Sequence, residues 1–127
     1  MVEKLVEIGI LFDFYGKLLS EKQYLIVDLY YNHDLSLAEI GDELGITKQG
    51  VSDILKRAED KLYNFEKNLG LVKKFYSSHN NIKKILDISQ EIMEVAKEQN
   101  LVDIYNKSLK IKELSKRILS SSREVID

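Results

Sequence analysis

"DLSLAEIGDELGITKQGVSDILKRAEDKL", residues 34–62, is the stretch on which the fold turns. Ser36 with Glu39 three places later is a capping box, in which hydroxyl and carboxylate each take an unpaired N–H at a helix start. A short helix is therefore predicted over 37–44, burying Leu37, Ile40 and Leu44. Gly45 stands where a left-handed residue ends a helix at least cost. Thr47 then caps a longer helix whose inner stripe is Val51, Leu55, Ala58, Leu62, Phe65 and Leu69, at gaps of 4, 3, 4, 3 and 4. Helix, glycine turn, longer helix is the helix-turn-helix arrangement. Leu37, Ile40, Leu44, Ile46, Val51 and Ile54 would lock the pair at a steep angle, with the small Ala38 at the close approach.

Working outward, residues 2–19 place Leu5, Ile8, Phe12, Tyr15 and Leu19 at helical spacing. Ser20 and Gln23 form a second capping box, starting a helix over about 21–31 with Tyr24, Ile26, Val27 and Tyr30 mostly inward. "NHD" at 32–34 makes the turn. On the other side, Gly70 ends or weakens the long helix, and Val72 and Tyr76 continue its stripe if it goes on. "SSHNN" at 77–81 reads as a turn with Asn81 as a cap. Residues 82–99 show Ile82, Ile85, Leu86, Ile92, Val95 and Ala96 on one side. Asn100 separates them from a last helix over about 101–120, and the "SSSREVID" end is expected to fray. The prediction is an all-α protein: a helix-turn-helix domain at 1–70, and a helical extension at 71–127 that packs on the first part or forms a dimer interface.

Composition agrees. Hydrophobic residues make up 44% and charged residues 31% of 127 positions, enough apolar content for a core. Proline is absent, where average usage would give roughly six, and that favours uninterrupted helix. With no cysteine there is no disulfide, thiolate zinc site or cysteine nucleophile. The longest uncharged apolar run, around residues 8–12, is far short of a membrane span. No secretory signal opens the chain, so a cytoplasmic location is expected. His33 and His79 fall in predicted turns without metal-ligand spacing, no Gly-rich phosphate loop is present, and no carboxylate pairs with a nucleophile in a recognisable motif. No enzyme activity, cofactor, metal or small-molecule substrate is expected.

Net charge is −2 but uneven. Residues 1–70 carry 8 Lys/Arg against 13 Asp/Glu, and residues 71–127 carry 11 against 8. A field of the first sign discourages nonspecific attraction to phosphate. The basic residues of the last helix (Lys107, Lys110, Lys112, Lys116 and Arg117) form the most basic patch. Tyr30–Tyr31 and Phe12–Phe14–Tyr15 have the chemistry to stack bases, but their helical spacing is that of core anchors.

At 100° per residue, Gln49, Ser52, Asp53 and Lys56 share the outward face of the second helix, with Thr47 and Lys48 at its N-terminus. These define a candidate nucleic-acid-binding set: Gln49 suits adenine, and Thr47, Lys48, Lys56 and Arg57, with Ser52 beside them, suit phosphates. The bland alternative is a solvated helix face on which Asp53 pairs with Lys56 or Arg57.

Residues 36–62 resemble region 4 of bacterial sigma factors, with Lys48 at the family's first basic position and Gly50 and Ser52 where arginines usually stand. A closer resemblance takes in "LFDFYGKLLSEKQ" at 11–23, "LYYNHDLSLAEIGDELGIT" at 29–47 and "KQGVSDILKR" at 48–57. These look like the YlxM-like family of small bacterial helix-turn-helix proteins, over about residues 1–75. The resemblance implies an accessory role beside the signal recognition particle, through its RNA or its GTPase. The sequence thus sets three expectations: a regulatory or accessory factor of that pathway acting through nucleic-acid or protein contacts, a dimeric DNA-binding transcription regulator, or a purely protein-binding adaptor that docks through the acidic N-terminal half. A homodimer is expected, and the long stripe at 51–69 covers the protein's own first helices or meets its twin.

Overall fold

The computed structural model describes residues 2–126 of the 127, with side chains over 3–121. It is all-α, as expected: α1 (Val2–Tyr15), α2 (Glu21–Val27), α3 (Leu37–Leu44), α4 (Lys48–Leu69), α5 (Leu71–Glu98) and α6 (Val102–Ile126), with no strand among the described residues. The chain divides into two compact units, Met1–Val72 and Lys73–Asp127.

In the first unit α4 is the central element, packed against α1, α2 and α3. Val51, Ala58 and Leu62 are fully buried and Leu55 nearly so, against Ile8, Tyr15, Ile26, Val27 and Ile40. The stripe therefore covers the protein's own helices. It runs out at Leu69, which is 54% exposed. α1 begins its buried face at Ile8 rather than Leu5, which faces solvent. It stops at Tyr15 in a 3-10 turn (Gly16–Leu18), earlier than the Leu19 expected. Gly16 is tight there: a β-carbon would lie 3.0 Å from the Phe12 ring.

Both capping boxes form. Ser20 accepts from the Gln23 N–H while the Gln23 side chain accepts from the Ser20 N–H, and Ser36 and Glu39 do the same at α3. α2 does not run evenly to Tyr31. After Val27 it widens into a π turn (Asp28–Asn32), and Asp34 has a positive φ of 56°. Tyr24 is more exposed than expected, with its ring lying 4.7 Å from that of Phe12.

The α3–α4 turn is built as expected at Gly45, φ 70°, and Ile46 N–H reaches back 3.0 Å to the Gly41 carbonyl. The close approach is not at Ala38, which is exposed. It is at Gly41, where a β-carbon would stand 2.7 Å from the Ile46 carbonyl oxygen. The turn folds back over the last turn of α3, so the small residue is needed beneath it.

Gly70, φ 61°, ends α4, and α5 begins at the next residue. Tyr15, 1% exposed, seals this junction. Its hydroxyl donates to Glu66 Oε1 at 2.5 Å and accepts from the Leu71 N–H at 3.1 Å, while Glu66 also accepts from the Val72 N–H. Two of the orphan donors at the start of α5 are satisfied in this way.

In the second unit the expected turn at 77–81 is absent. α5 runs unbroken from Leu71 to Glu98, with Ser77, Ser78, Asn80 and Asn81 exposed along it and Asn81 far from any cap. The break at Asn100 is real: φ is 57°, with hydrogen bonds from Asn100 N–H to Lys97 O and from Leu101 N–H to Ala96 O closing α5 as a Schellman motif. α6 extends to Ile126, past the expected end near 120, and Asp127 lies outside the described residues. The buried serines Ser89, Ser108 and Ser115 each donate to a carbonyl of their own helix.

Candidate nucleic-acid interface

Position on α4 decides what this site can touch. Thr47 is the N-cap: its side-chain oxygen accepts the Gly50 N–H at 3.0 Å, which leaves the hydroxyl proton for a ligand. Gly50 keeps that cap close, since a β-carbon would lie 3.1 Å from Thr47 Oγ1. The capped turn leaves helix N–H groups pointing outward, and Lys48 stands exposed beside them.

Gln49 is exposed and its Nε2 donates to Asp53 Oδ1 at 3.0 Å. This is not the pairing of Asp53 with Lys56 or Arg57 that the bland reading predicted. One amide proton is committed to the carboxylate. The second proton and the carbonyl oxygen remain, the pair an adenine edge requires. The bond also holds the long side chain in place before any ligand arrives.

Helical arithmetic separates the other residues. Relative to Gln49, Lys56 lies about 20° away, Ser52 about 60° and Lys48 about 100° on one side, while Asp53 lies about 40° and Arg57 about 80° on the other. The five helical residues of the predicted set therefore span half the helix circumference, and Thr47 stands apart from them as the N-cap. Lys48, Lys56 and Arg57 are exposed, and none makes an ion pair among the described residues. Ser52 is half-buried and turns toward a groove of about 380 Å³ that it lines with Lys56, Leu37, Tyr30, Tyr31, Tyr63 and Lys4.

Sequence reasoning missed this groove because it is assembled from three distant segments. Its floor is locked by Glu59, which accepts a short hydrogen bond from the Tyr31 hydroxyl and pairs with Lys4 Nζ at 3.4 Å. Burial, then the hydrogen bond to Glu59, pushes the Tyr31 hydroxyl far above its ordinary value. The available signal was Glu59 itself, one step off the inner stripe. Tyr30 and Tyr31 meet edge to face at 5.0 Å and serve as anchors of this wall.

The histidines divide. His33 is exposed, 3.4 Å from Asp28. His79 lies within α5, not in a turn, and stacks on Phe75. Among the described residues no group of three acidic or histidine side chains is placed to hold a metal ion, and no helix is long and apolar enough to cross a membrane.

The family profile of UPF0122, described as helix-turn-helix proteins that are YlxM / p13 like, matches residues 2–104, well past the 1–75 over which the resemblance was legible. A UPF0122 protein of Acetivibrio thermocellus is 36% identical over 126 residues, covering 99% of both chains. One from Caldanaerobacter subterraneus subsp. tengcongensis is 53% identical over 76 residues, 60% of this chain and 65% of its own. One from Desulforamulus reducens is 44% identical over 82 residues, 65% of this chain and 70% of its own. No solved structure matches the chain. With a capped helix-turn-helix in place, the family profile matched over residues 2–104 and one relative matched over 99% of both chains, the chain belongs to the UPF0122 family of YlxM / p13-like helix-turn-helix proteins.

Proposed function

We propose that this protein is a non-enzymatic cytoplasmic regulatory factor that docks on nucleic acid through the first three turns of α4. The observation that carries the reading is the state of that face: Lys48, Lys56 and Arg57 are exposed and make no ion pair among the described residues, around a Gln49 already oriented by Asp53. Thr47, with its proton available, and Ser52 at the groove edge complete the contact set.

The charge of the unit selects among ligands. Three cations stand against a local excess of acid, 8 Lys/Arg to 13 Asp/Glu over residues 1–70. A surface like this repels a long phosphate array and tolerates a short, shaped one. A folded RNA held in a ribonucleoprotein fits better than extended duplex, and the signal recognition particle implied by the family resemblance is the first such RNA to test. Duplex DNA is the second reading, supported by the free edge of Gln49.

Titrating the full chain against folded RNA of the particle and against a selected duplex, across a salt series, separates these readings. RNA preference with a log–log salt slope of about −2 to −3, reduced by about one in Lys48→Ala or Arg57→Ala, supports the proposal. Retention of neither nucleic acid at low salt refutes it.

A further inference from the structure

The second unit cannot enclose a core by itself. Among its described residues the buried apolar side chains are Met93 and Ala96, and the other buried positions are serines. Two helices packed along one seam leave their flanks open, and a helical pair of this kind reaches stability when another layer covers it.

The open flank is patterned. On α5, Ile85, Ile88, Ile92 and Val95 recur at gaps of 3, 4 and 3, adjacent to the buried seam of Ser89, Met93 and Ala96. On α6, Ile104, Ile111 and Leu114 stand beside the buried Ser108 and Ser115. These seven side chains are 39–54% exposed. The two sets lie on one side of the pair: Ile92 and Val95 of α5 line a single open groove with Leu101 and Ile104 of α6.

We propose that a second copy of this chain covers this face, the α5–α6 pairs of two protomers closing into a four-helix bundle about a two-fold axis. Three arguments select this occupant. Gaps of 3, 4 and 3 on α5, and of 7 and 3 on α6 with Lys107 at the position between, give the seam that knobs-into-holes packing needs, and an identical face supplies a matching one. The area is right: seven aliphatic side chains exposed to this degree present roughly 600 Å² of apolar surface, and with a polar rim they approach the roughly 800 Å² each partner gives a standard interface. The charge is right too. By helical position Lys107 lies within the α6 stripe, and Glu91 lines the groove. A face bordered by charges of both signs suits its own copy better than a strongly charged partner. The α4 stripe is not available for this purpose, being committed to the first unit's own core.

Sedimentation equilibrium of the full chain from 1 to 100 µM tests the proposal. The expected result is a dimer, with Ile92→Glu and Ile111→Glu each raising its dissociation constant by about a hundredfold while helical circular dichroism is retained. Leu69→Glu, on the exposed end of α4, should leave the dimer intact. Hydrogen exchange of the unaltered chain gives an answer independent of how the variants fold: protection over 85–95 and 104–114 should rise with concentration. A chain monomeric at 100 µM overturns the proposal, whether or not it sediments with anionic vesicles or a heterologous protein. So does a dimer that persists in both variants, or exchange that is indifferent to concentration. None of these outcomes depends on nucleic-acid binding.

Discussion

Gly41 and Ala38 lie three residues apart on α3, and either is small enough for a close approach. The structure places the contact at Gly41, under the Ile46 carbonyl. Gly41→Ala should therefore destabilise the first unit by roughly 1–3 kcal/mol through overpacking against backbone, although alanine is the better helix former. Ala38→Gln, on the exposed side, should shift stability by no more than about 0.5 kcal/mol. Urea unfolding of both variants checks the contrast, and equal effects would contradict the assigned contact. Tyr15 is a second single-residue control point. Tyr15→Phe keeps the ring but removes the acceptor for the Leu71 N–H and the donor to Glu66. A cost of roughly 1–3 kcal/mol is expected from these unmet partners. Glu39 is governed by pH. The Ser36 N–H, then the Ser36 side chain, holds its carboxyl below the ordinary value of 4.5. A depressed carboxyl stabilises the fold above the unfolded value and loses that contribution as pH falls through the folded one. Glu39→Gln keeps the box in a form that does not titrate, so the variant should be less stable than the unaltered chain at neutral pH and the difference should vanish as pH falls through the folded value.

α4 was legible almost residue for residue, because its stripe, its threonine cap and its terminal glycine are all local signals. The π turn after α2 was not, since nothing local distinguishes a widened turn from a continued helix. The segment at 77–81 was misread for the opposite reason: Ser, His and Asn in a row carry a turn signal, yet they fit the open side of a long helix when strong helix formers flank them. Asn81→Pro distinguishes these states. It should cost about 3 kcal/mol or more in a helix interior, and far less had the segment been a turn. On the candidate site, composition gave the residue types but missed the Gln49–Asp53 bond, so the role of Asp53 was assigned to the wrong partner. That bond sets a test of sign. Asp53→Asn keeps an oxygen to hold Gln49 and removes the only acid among residues 48–57. Nucleic-acid affinity should rise by about three- to tenfold, while Lys56→Ala should lower it by a similar factor. A drop in Asp53→Asn would mean that the acid itself reads a base.

Across the whole molecule, ionisable groups are unevenly committed. In the first unit Tyr15, Tyr31 and Tyr63 all have hydroxyls pushed above the ordinary value of 10.0, each chiefly by burial and then by a nearby carboxylate: Glu66, Glu59 and Glu7 in turn. These tyrosines join α1 and the π turn to α4 in a unit already crowded with acid, so their neutrality and its fold are linked. The sign follows from linkage. Raised folded values favour the protonated form, so the contribution is complete below about pH 10 and is lost as pH rises through the folded values. The unfolded chain releases these protons first, which pulls the equilibrium toward unfolding in alkali. Absorbance at the tyrosinate band should thus show part of the seven-tyrosine signal withheld above pH 10, then released together with the loss of helical circular dichroism. Tyr31→Phe should remove one proton from that late step. The variant should also lose stability at neutral pH, because Glu59 keeps Lys4 but loses the hydroxyl that completes its shell. If all seven tyrosines titrate smoothly before helicity falls, these hydroxyls are not what holds α1 and the π turn on α4, and apolar contact between the helices must do so alone.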